Sequence, residues 1–504
     1  MPLHDFTVYD MFEMNARCFA DKTAVTNQKK SLSFQALFDQ SSFLARGMAD
    51  RGIAKGDRIA VLAMNSVEYI LLYGAAAVLG AVVVPLNWRL SDEEIQYILE
   101  DANACFLFFD KTQKQRAESM GQAQGTTLRL ISFDNTSSPA ITPIEELMAA
   151  QAPLSGQSSR NDLFCLIYTA AVEGKPRGAA LSHANIVYSN IQTTIDMKID
   201  SSDAYLNMLP LFHITGINLA FSVLHMGGKN VIMEKFNGPK ALAATEQEKI
   251  TLMASFPPIL TSLMDEMDKQ TYDLSSLKHV TGIDSPDNIS RFTQQTGAVF
   301  KILYGQSETS GFVSLGDSSE APGSAGKQCV LSNISIRDDN DRRLSSHETG
   351  EICVRGPIVF QGFWENGKLD RSSFRSGWHH TGDNGRIDKN GFLWFEGRKP
   401  EKELIKPGGE NVYPAEVEQA ILEHPEILET CVIGVPDPRF GEGVKAVCVR
   451  SEFSKLGETD LIEFVGQRIA RYKKPGYVSF VAGLPRNDQG GIDRKRVKEL
   501  YSTQ

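Results

Sequence analysis

The longest apolar run in the chain extends from Tyr69 to Val84 and stops at Pro85. A membrane span takes about 20 consecutive apolar residues; this run is shorter and is broken by Gly74 and Gly80. It reads instead as a buried helix feeding a buried strand. Such a pair needs cover on every side, and the flanking sequence supplies it. Phe34, Leu37, Phe38, Leu44 and Met48 recur at helical spacing, and Gly52 stops that helix. Segments 58–64 and 104–109 are short apolar runs of strand type, and Ser91 with Glu94 makes a capping-box pattern for a helix over 94–100. Strands separated by helices at this spacing predict a mostly parallel sheet with helices on both faces.

At 504 residues the chain is long enough for roughly three domain-sized units. Residues 135–162 are rich in Ser, Pro, Thr and Ala and read as a surface connection. Residues 399–407 pack charged groups and two prolines between apolar segments. Beyond them a helix at 414–422, strands at 431–435 and 444–449, a helix from Asp460 and a strand at 477–481 make a small α/β unit of about 100 residues. The expected organisation is a large unit 1–398, a hinge 399–403 and a small unit 404–504.

A net charge of −10 argues against a nucleic-acid backbone as partner. It leaves small phosphate ligands open, because loops and helix starts build such sites locally. The seven cysteines show no CxxC pair and no metal-ligand spacing, and most sit in apolar runs. Buried thiols in a reducing compartment are the expectation. Residues 1–5 lack the basic and apolar regions of a signal peptide, so a cytoplasmic protein is expected.

A series of segments then follows in one order. Tyr168 to Gly178 succeeds an apolar strand and includes Thr169, Gly174, Lys175 and Arg177. Next come Leu209 to Gly216, with His213 inside it, and Tyr304-Gly305-Gln306-Ser307-Glu308-Thr309. Gly350 to Gly356, Gly377 to Asp383, Gly397-Arg398, Gly408-Gly409-Glu410-Asn411 and Leu484 to Arg494 complete it. This order resembles the adenylating superfamily of acyl-CoA ligases, peptide-synthetase adenylation domains and luciferases, over nearly the whole chain. Among these, an AMP-forming acyl-CoA ligase is the nearest likeness. The chain ends at Gln504 without a carrier segment, which disfavours the peptide-synthetase role.

The resemblance implies a fold and a set of roles. The fold is α/β: a large N-terminal domain of layered α/β sheets plus a β-barrel part, with a small mobile C-terminal α/β domain. Its ligands are a carboxylic acid, ATP or AMP, coenzyme A and Mg²⁺. Glu308 is the expected metal ligand and catalytic carboxylate, consistent with the habit of Mg²⁺ to take one or two protein carboxylates beside phosphate oxygens. Thr309 and His213 are the other expected catalytic side chains, His213 beside the acyl carboxylate and the pantetheine tunnel. Thr169, Gly174, Lys175, Arg177 and Ser307 would meet phosphate. Tyr304, with Gly305 and Gln306, would pack on the adenine, and Asp284 lies at the adenine-side strand. Asp383 would accept from both ribose hydroxyls, a task suited to an acceptor-only carboxylate. Arg398 would also reach the nucleotide. Gly408, Gly409 and Glu410 would meet coenzyme A after the small domain rotates. His379 and His380 are expected to be structural.

Two departures touch the adenylation step. The family phosphate loop reads Tyr-Thr-Ser-Gly-Thr-Thr-Gly, where glycines let backbone N–H groups form an anion nest. Here Ala170, Ala171, Val172 and Glu173 occupy its centre. A glutamate about 4 Å from phosphate costs roughly 4 kcal/mol at an effective dielectric near 20. At the other end, the family lysine that bridges acyl carboxylate and α-phosphate is replaced by Gly491. Loss of one preorganised electrostatic group typically costs on the order of 10²–10³ in rate. Thioester formation from a preformed adenylate does not require that lysine. Two readings stand: a ligase forming acyl-CoA through an acyl-adenylate, and a non-catalytic acyl- or AMP-binding sensor of the same fold. The acyl group is open among fatty, aromatic and alicyclic acids.

Overall fold

A computed structural model describes residues 3–123, 128–135, 138–150, 152–156, 158–169, 176–399, 403–487 and 491–502. The apolar run divides as its glycines dictate. Val67–Leu79 is a helix capped at its start by the Ser66 side chain, and Val82–Pro85 is a strand. Between them Gly80 takes the left-handed conformation (φ +80°), which glycine adopts without steric cost. Nearly every residue of that helix is buried, as an all-round apolar helix requires.

Val82–Pro85 joins a nine-stranded sheet. Its parallel strands Val82–Pro85, Arg58–Leu62, Phe106–Phe109, Arg129–Ser132 and Ile141–Pro143 continue into Leu163–Thr169, Arg177–Ser182, Phe363–Glu365 and Lys368–Asp370. A second nine-stranded sheet is centred on the parallel strands Lys229–Ile232, Ala204–Asn207, Leu252–Ser255, His279–Gly282 and Val299–Gln306. One continuous core joins residues of both sheets through the helices Val8–Cys18, Phe34–Asp50, Val67–Leu79 and Ile214–His225. A smaller core covers the other face of the first sheet under Asp92–Asp101 and Lys114–Ala123. The parallel, helix-covered architecture expected from the sequence is therefore present twice.

A third, smaller sheet of the large unit is five-stranded and antiparallel: Asn333–Arg337, Gly350–Arg355, Trp378–Ile387, Phe374–Arg375 and Leu393–Arg398. The small unit has its own core, with Ile427–Asp437, Gly441–Arg450 and Tyr477–Val481 in one sheet beside the helices Pro414–Leu422, Glu458–Gly466 and Arg494–Tyr501. Residues 400–402 of the hinge segment fall outside the described residues.

One expectation needs correction. Residues 135–162 are more than a surface connection, for they include the strand Ile141–Pro143 and the helix Ile144–Met148. Ile141, Ile144 and Leu147 are buried, and Gly47 packs so tightly against Leu147 that a β-carbon there would lie 1.9 Å from its carbonyl oxygen. Polar composition hid three apolar anchors. Five of the seven free cysteines are buried, whereas Cys18 is exposed and Cys105 half-buried. No helix among the described residues is long and apolar enough to cross a membrane.

Candidate active site

In open parallel sheets the carboxyl ends of strands splay apart and leave a crevice. Both large sheets aim such ends at one cavity of about 1070 Å³. Asn87–Leu90 follow Val82–Pro85, Met208–Pro210 follow Ala204–Asn207, and Glu234–Phe236 follow Lys229–Ile232. Phe256–Ile259 follow Leu252–Ser255, Gly282–Asp284 end His279–Gly282, and Tyr304–Ser307 close Val299–Gln306. The small unit seals the opening with Lys406–Asn411, Phe440, Tyr472 and Lys473.

One end of the cavity is organised by Asp383. Its Oδ2 accepts from the Tyr304 hydroxyl (2.8 Å) and from Gln306 Nε2 (2.7 Å), and its Oδ1 lies 3.5 Å from Arg398 Nε. The Tyr304 ring lines the cavity, and burial together with Asp383 keeps its phenol protonated, well above the usual range. Arg398 also donates to the Leu404 carbonyl at 2.9 Å, which ties this end to the small unit. The strand pair Trp378–Ile387 and Leu393–Arg398 sets Asp383 directly opposite Arg398.

The other end is organised by Glu410. Its carboxylate receives Arg89, Asn87 Nδ2 (3.3 Å) and His213 Nε2 (3.1 Å). Desolvation, then the Arg89 charge, hold the His213 imidazole down at about 3. His213 is therefore neutral at pH 7, and its Nε2–H donates to Glu410. The Arg89 guanidinium also lies over the Trp88 and Phe212 rings, 4.9 and 5.9 Å from their centroids. Glu410 can reach this far in because Gly408 and Gly409 precede it. Gly408 has φ +59°, and a β-carbon there would come within 2.8 Å of the Pro257 carbonyl. Only glycine fits so close to the opposing backbone.

Of the site residues expected from the sequence, Thr169, His213, Asp284, Tyr304, Gly305, Gln306, Ser307, Asp383, Arg398, Gly408, Gly409 and Glu410 line this one cavity. Gly174 and Lys175 lie outside the described residues, as do Ala170 to Glu173. Arg177 is turned elsewhere, 3.9 Å over the Phe363 ring and 3.5 Å from Asp370. Thr309 is buried beside the cavity; its Oγ1 accepts from Gln306 N (2.9 Å) and hydrogen-bonds to the Gly311 carbonyl (2.8 Å), which shapes the turn. Asp284 keeps one oxygen on Asn288 and leaves the other buried without a partner, and burial raises its carboxyl. His380 pairs with Glu351 at 3.0 Å and Asp341 at 3.2 Å, and His379 packs against Phe360 and Phe374, all outside the cavity.

Glu308 is the candidate metal ligand. It is 8% exposed, and its carboxylate forms no ion pair within 4 Å among the described residues. Ser307 beside it lines the cavity and Glu308 itself does not. A buried carboxylate with no ion pair among the described residues favours a cation partner, and a divalent ion shared with phosphate oxygens is of that kind.

Sequence reasoning did not find Asn87, Arg89, Lys406 or Lys473. Lys473 is 1% exposed and is gripped by Glu94 of the large unit and Glu416 of the small one. Burial and the Glu94 charge push Glu416 up to about 7, whereas the two carboxylates hold the Lys473 ammonium above its usual range against the penalty of burial. Arg89 carried one legible signal: a charged residue just past the carboxyl end of a buried strand.

Fold and cavity together define a class, an α/β protein whose ligand chamber is walled by a large unit and closed by a small one. The chain belongs to the AMP-binding enzyme family, matching the family model over residues 12–364 and that of the AMP-binding enzyme C-terminal domain over 416–490. It is 32% identical to an indoleacetate–CoA ligase of Aromatoleum aromaticum, over 95% of each chain. It is 30% identical to a long-chain-fatty-acid–CoA ligase of Mycobacterium tuberculosis, over 94% of each. Among solved structures, an o-succinylbenzoate CoA synthetase double mutant from Bacillus subtilis bound to its product analogue superposes with a TM-score of 0.85 at 27% identity, over 98% of each chain. The same enzyme with its acyl-adenylate intermediate gives 0.71 at 28% identity, over 98% of this chain and 99% of that one.

Proposed function

We propose that this chain is an AMP-forming acid–CoA ligase. The carboxylate of a fatty, aromatic or alicyclic acid attacks the α-phosphorus of ATP, pyrophosphate leaves, and the thiol of coenzyme A then displaces AMP from the acyl-adenylate. The observation that carries this reading is the shared cavity. The Tyr304–Asp383–Arg398 cluster at one end has the donors and acceptor a ribose needs, and the Glu410–His213–Arg89 cluster at the other closes over the acyl carbon.

In this reading Asp383 accepts from the ribose hydroxyls, and Tyr304 covers the adenine. Thr169, Gly305, Gln306, Ser307 and Asp284 line the nucleotide path, with Gly174 and Lys175 on the phosphates. Glu308 holds Mg²⁺, which when bound neutralises phosphate charge. The neutral His213 orients the acyl carboxylate, and Glu410 with Arg89 holds the small unit shut while coenzyme A enters over Gly408 and Gly409. Thr309 acts by shaping the turn that presents Glu308. We assign residues 1–398 and 404–504 to two domains joined by a hinge at 399–403, the small one mobile. Five buried free thiols support a reducing, cytoplasmic setting.

The test is turnover itself. Purified protein with a panel of carboxylic acids, ATP, Mg²⁺ and coenzyme A is expected to release AMP and acyl-CoA in equal amounts, and synthetic acyl-adenylate with coenzyme A to give the same thioester. Binding of AMP or acyl-CoA without turnover in either tube would replace this reading with the sensor.

A further inference from the structure

At the rim of the chamber the two units share one ammonium between two carboxylates. Lys473 of the small unit is 1% exposed. Its Nζ pairs with Glu416 Oε1 of the same unit at 2.5 Å and with Glu94 Oε1 of the large one. The side chains of Glu94 and Glu416 are themselves only 13% and 14% exposed. Glu94 is held in place, because its other oxygen accepts from Ser91 N at 2.7 Å in the capping box of Asp92–Asp101. Glu416 stands on the first turn of Pro414–Leu422. Tyr472 and Lys473 line the chamber side by side.

The neighbouring groups do not balance this contact. Among the described residues neither carboxylate has a second cation within 4 Å. Arg89, which acts on Tyr472, is engaged by Glu410, and burial keeps the Tyr472 phenol neutral, well above its usual range. Two carboxylates and one ammonium shut off from water carry a surplus negative charge, and like charges in such a site favour binding of a proton. Glu416 shows the effect: burial, with the Glu94 charge acting against that of Lys473, pushes its carboxyl up to about 7. Lys473 and Glu416 both belong to the small unit, so they leave together when it swings away and Glu94 stays behind. Burial and the second carboxylate are then withdrawn at once, and Glu416 returns toward the ordinary carboxylate range.

We propose that the Glu94–Lys473–Glu416 triad is a proton-linked latch, which takes up one proton from solvent as the small unit closes and so positions that unit for the thioester step. The inference rests on the ligase reading above and on its mobile small unit. Glu94, Lys473 and Glu416 are positioning residues: they act through Tyr472 and Glu410, which their contact brings to the chamber wall. The closed form holds the proton more tightly than the open one. Closure is therefore favoured most below the open-state value, and that advantage is lost as pH rises through the closed-state value near 7. Replacing either carboxylate by an amide removes the surplus charge and with it the need for the proton. Replacing both leaves the buried ammonium without a counter-charge.

The experiment uses the full-length chain. Thioester formation from synthetic acyl-adenylate and coenzyme A is followed at pH 6 and pH 8 in the parent, in Glu416→Gln and in Glu94→Gln. Comparing rates at one pH cancels the ionisation of the coenzyme A thiol. The rate of the parent relative to either variant is expected to fall about tenfold between pH 6 and pH 8. Acid-dependent exchange of labelled pyrophosphate into ATP is expected to show no such fall. The variant carrying both changes is expected to lose about tenfold or more in thioester rate at both pH values, so that two changes harmless alone do damage together. Thermal melting checks that each variant folds. In solution scattering the radius of gyration of the parent is expected to rise between pH 6 and pH 8, and that of Glu416→Gln to stay constant. A parent-to-variant ratio that does not change with pH would overturn the inference, and so would single variants slower than the parent at pH 8. A parent that makes no thioester at either pH overturns the ligase reading instead, and the scattering then decides the latch by itself: a radius of gyration that does not respond to pH in the parent sinks it.

Discussion

Asp383 holds three side chains at once, Tyr304, Gln306 and Arg398. Hydrogen bonds to a charged group are worth about 1.5–3 kcal/mol each. Asp383→Ala removes the acceptor and leaves the Arg398 charge without its partner. The expected outcome is a rise in KM for ATP and a loss of roughly 100-fold in kcat/KM, measured by steady-state AMP release. The sequence could name Asp383, Tyr304 and Arg398 because each sits in a short contiguous motif. It could not name Arg89 or Asn87 as partners of Glu410, since more than 300 residues of chain separate them. Arg177 marks the reverse case: motif position suggested phosphate, and packing turned the side chain onto Phe363 and Asp370.

At the scale of elements, the loop from Lys406 to Asn411 depends on two glycines at left-handed φ lying against Phe256 and Pro257. Gly408→Ala brings a methyl group within 2.8 Å of the Pro257 carbonyl oxygen, and adds the strain of a positive φ. This contact joins the loop of the small unit to the large one, so the substitution is expected to loosen that docking rather than unfold either unit. Thioester formation from synthetic acyl-adenylate is expected to drop about tenfold or more, with the melting temperature nearly unchanged. The helix Asp92–Asp101 shows how an element can serve two ends. Ser91 caps it as its sequence pattern predicts, and Glu94 both completes that capping box and grips Lys473 across the chamber. The capping box was legible because it is local; the second role was invisible because it is not.

For the molecule as a whole, the buried Glu94–Lys473–Glu416 triad ties the two units together ionically, as the Arg89–Glu410 pair also does. Breaking a buried pair by removing one partner is strongly destabilising, by about 3–5 kcal/mol, because the remaining charges lose their compensation. Lys473→Met leaves two buried carboxylates facing one another. Faster proteolytic cleavage within 399–403 and a larger radius of gyration in solution scattering are the expected results, with each unit still folded. Acid sensitivity is a second property of the whole. His183 is buried and His225 half-buried, and desolvation lowers both to about 4. Their folded pKa lies below the ordinary value near 6.5, so the folded state binds fewer protons than the unfolded one. Stability is intact above pH 6.5 and falls as pH drops from there toward 4. Melting temperatures measured from pH 8 to pH 4 are expected to decline across that window, and His183→Gln is expected to flatten the decline.

The sequence by itself determined whatever depends on neighbours along the chain. The split of the Tyr69–Val84 run into helix and strand, the caps at Ser91 and Gly80, the parallel alternation and the motif-borne residues all follow from local sterics and hydrophobic period. Tertiary structure alone decided which charges are paired and which are left over. Among the described residues Arg89 and Lys473 are ion-paired and Lys406 is not, yet no sequence motif tells the three apart. Ion pairing depends on distance and desolvation in three dimensions, and neither is written in the order of residues.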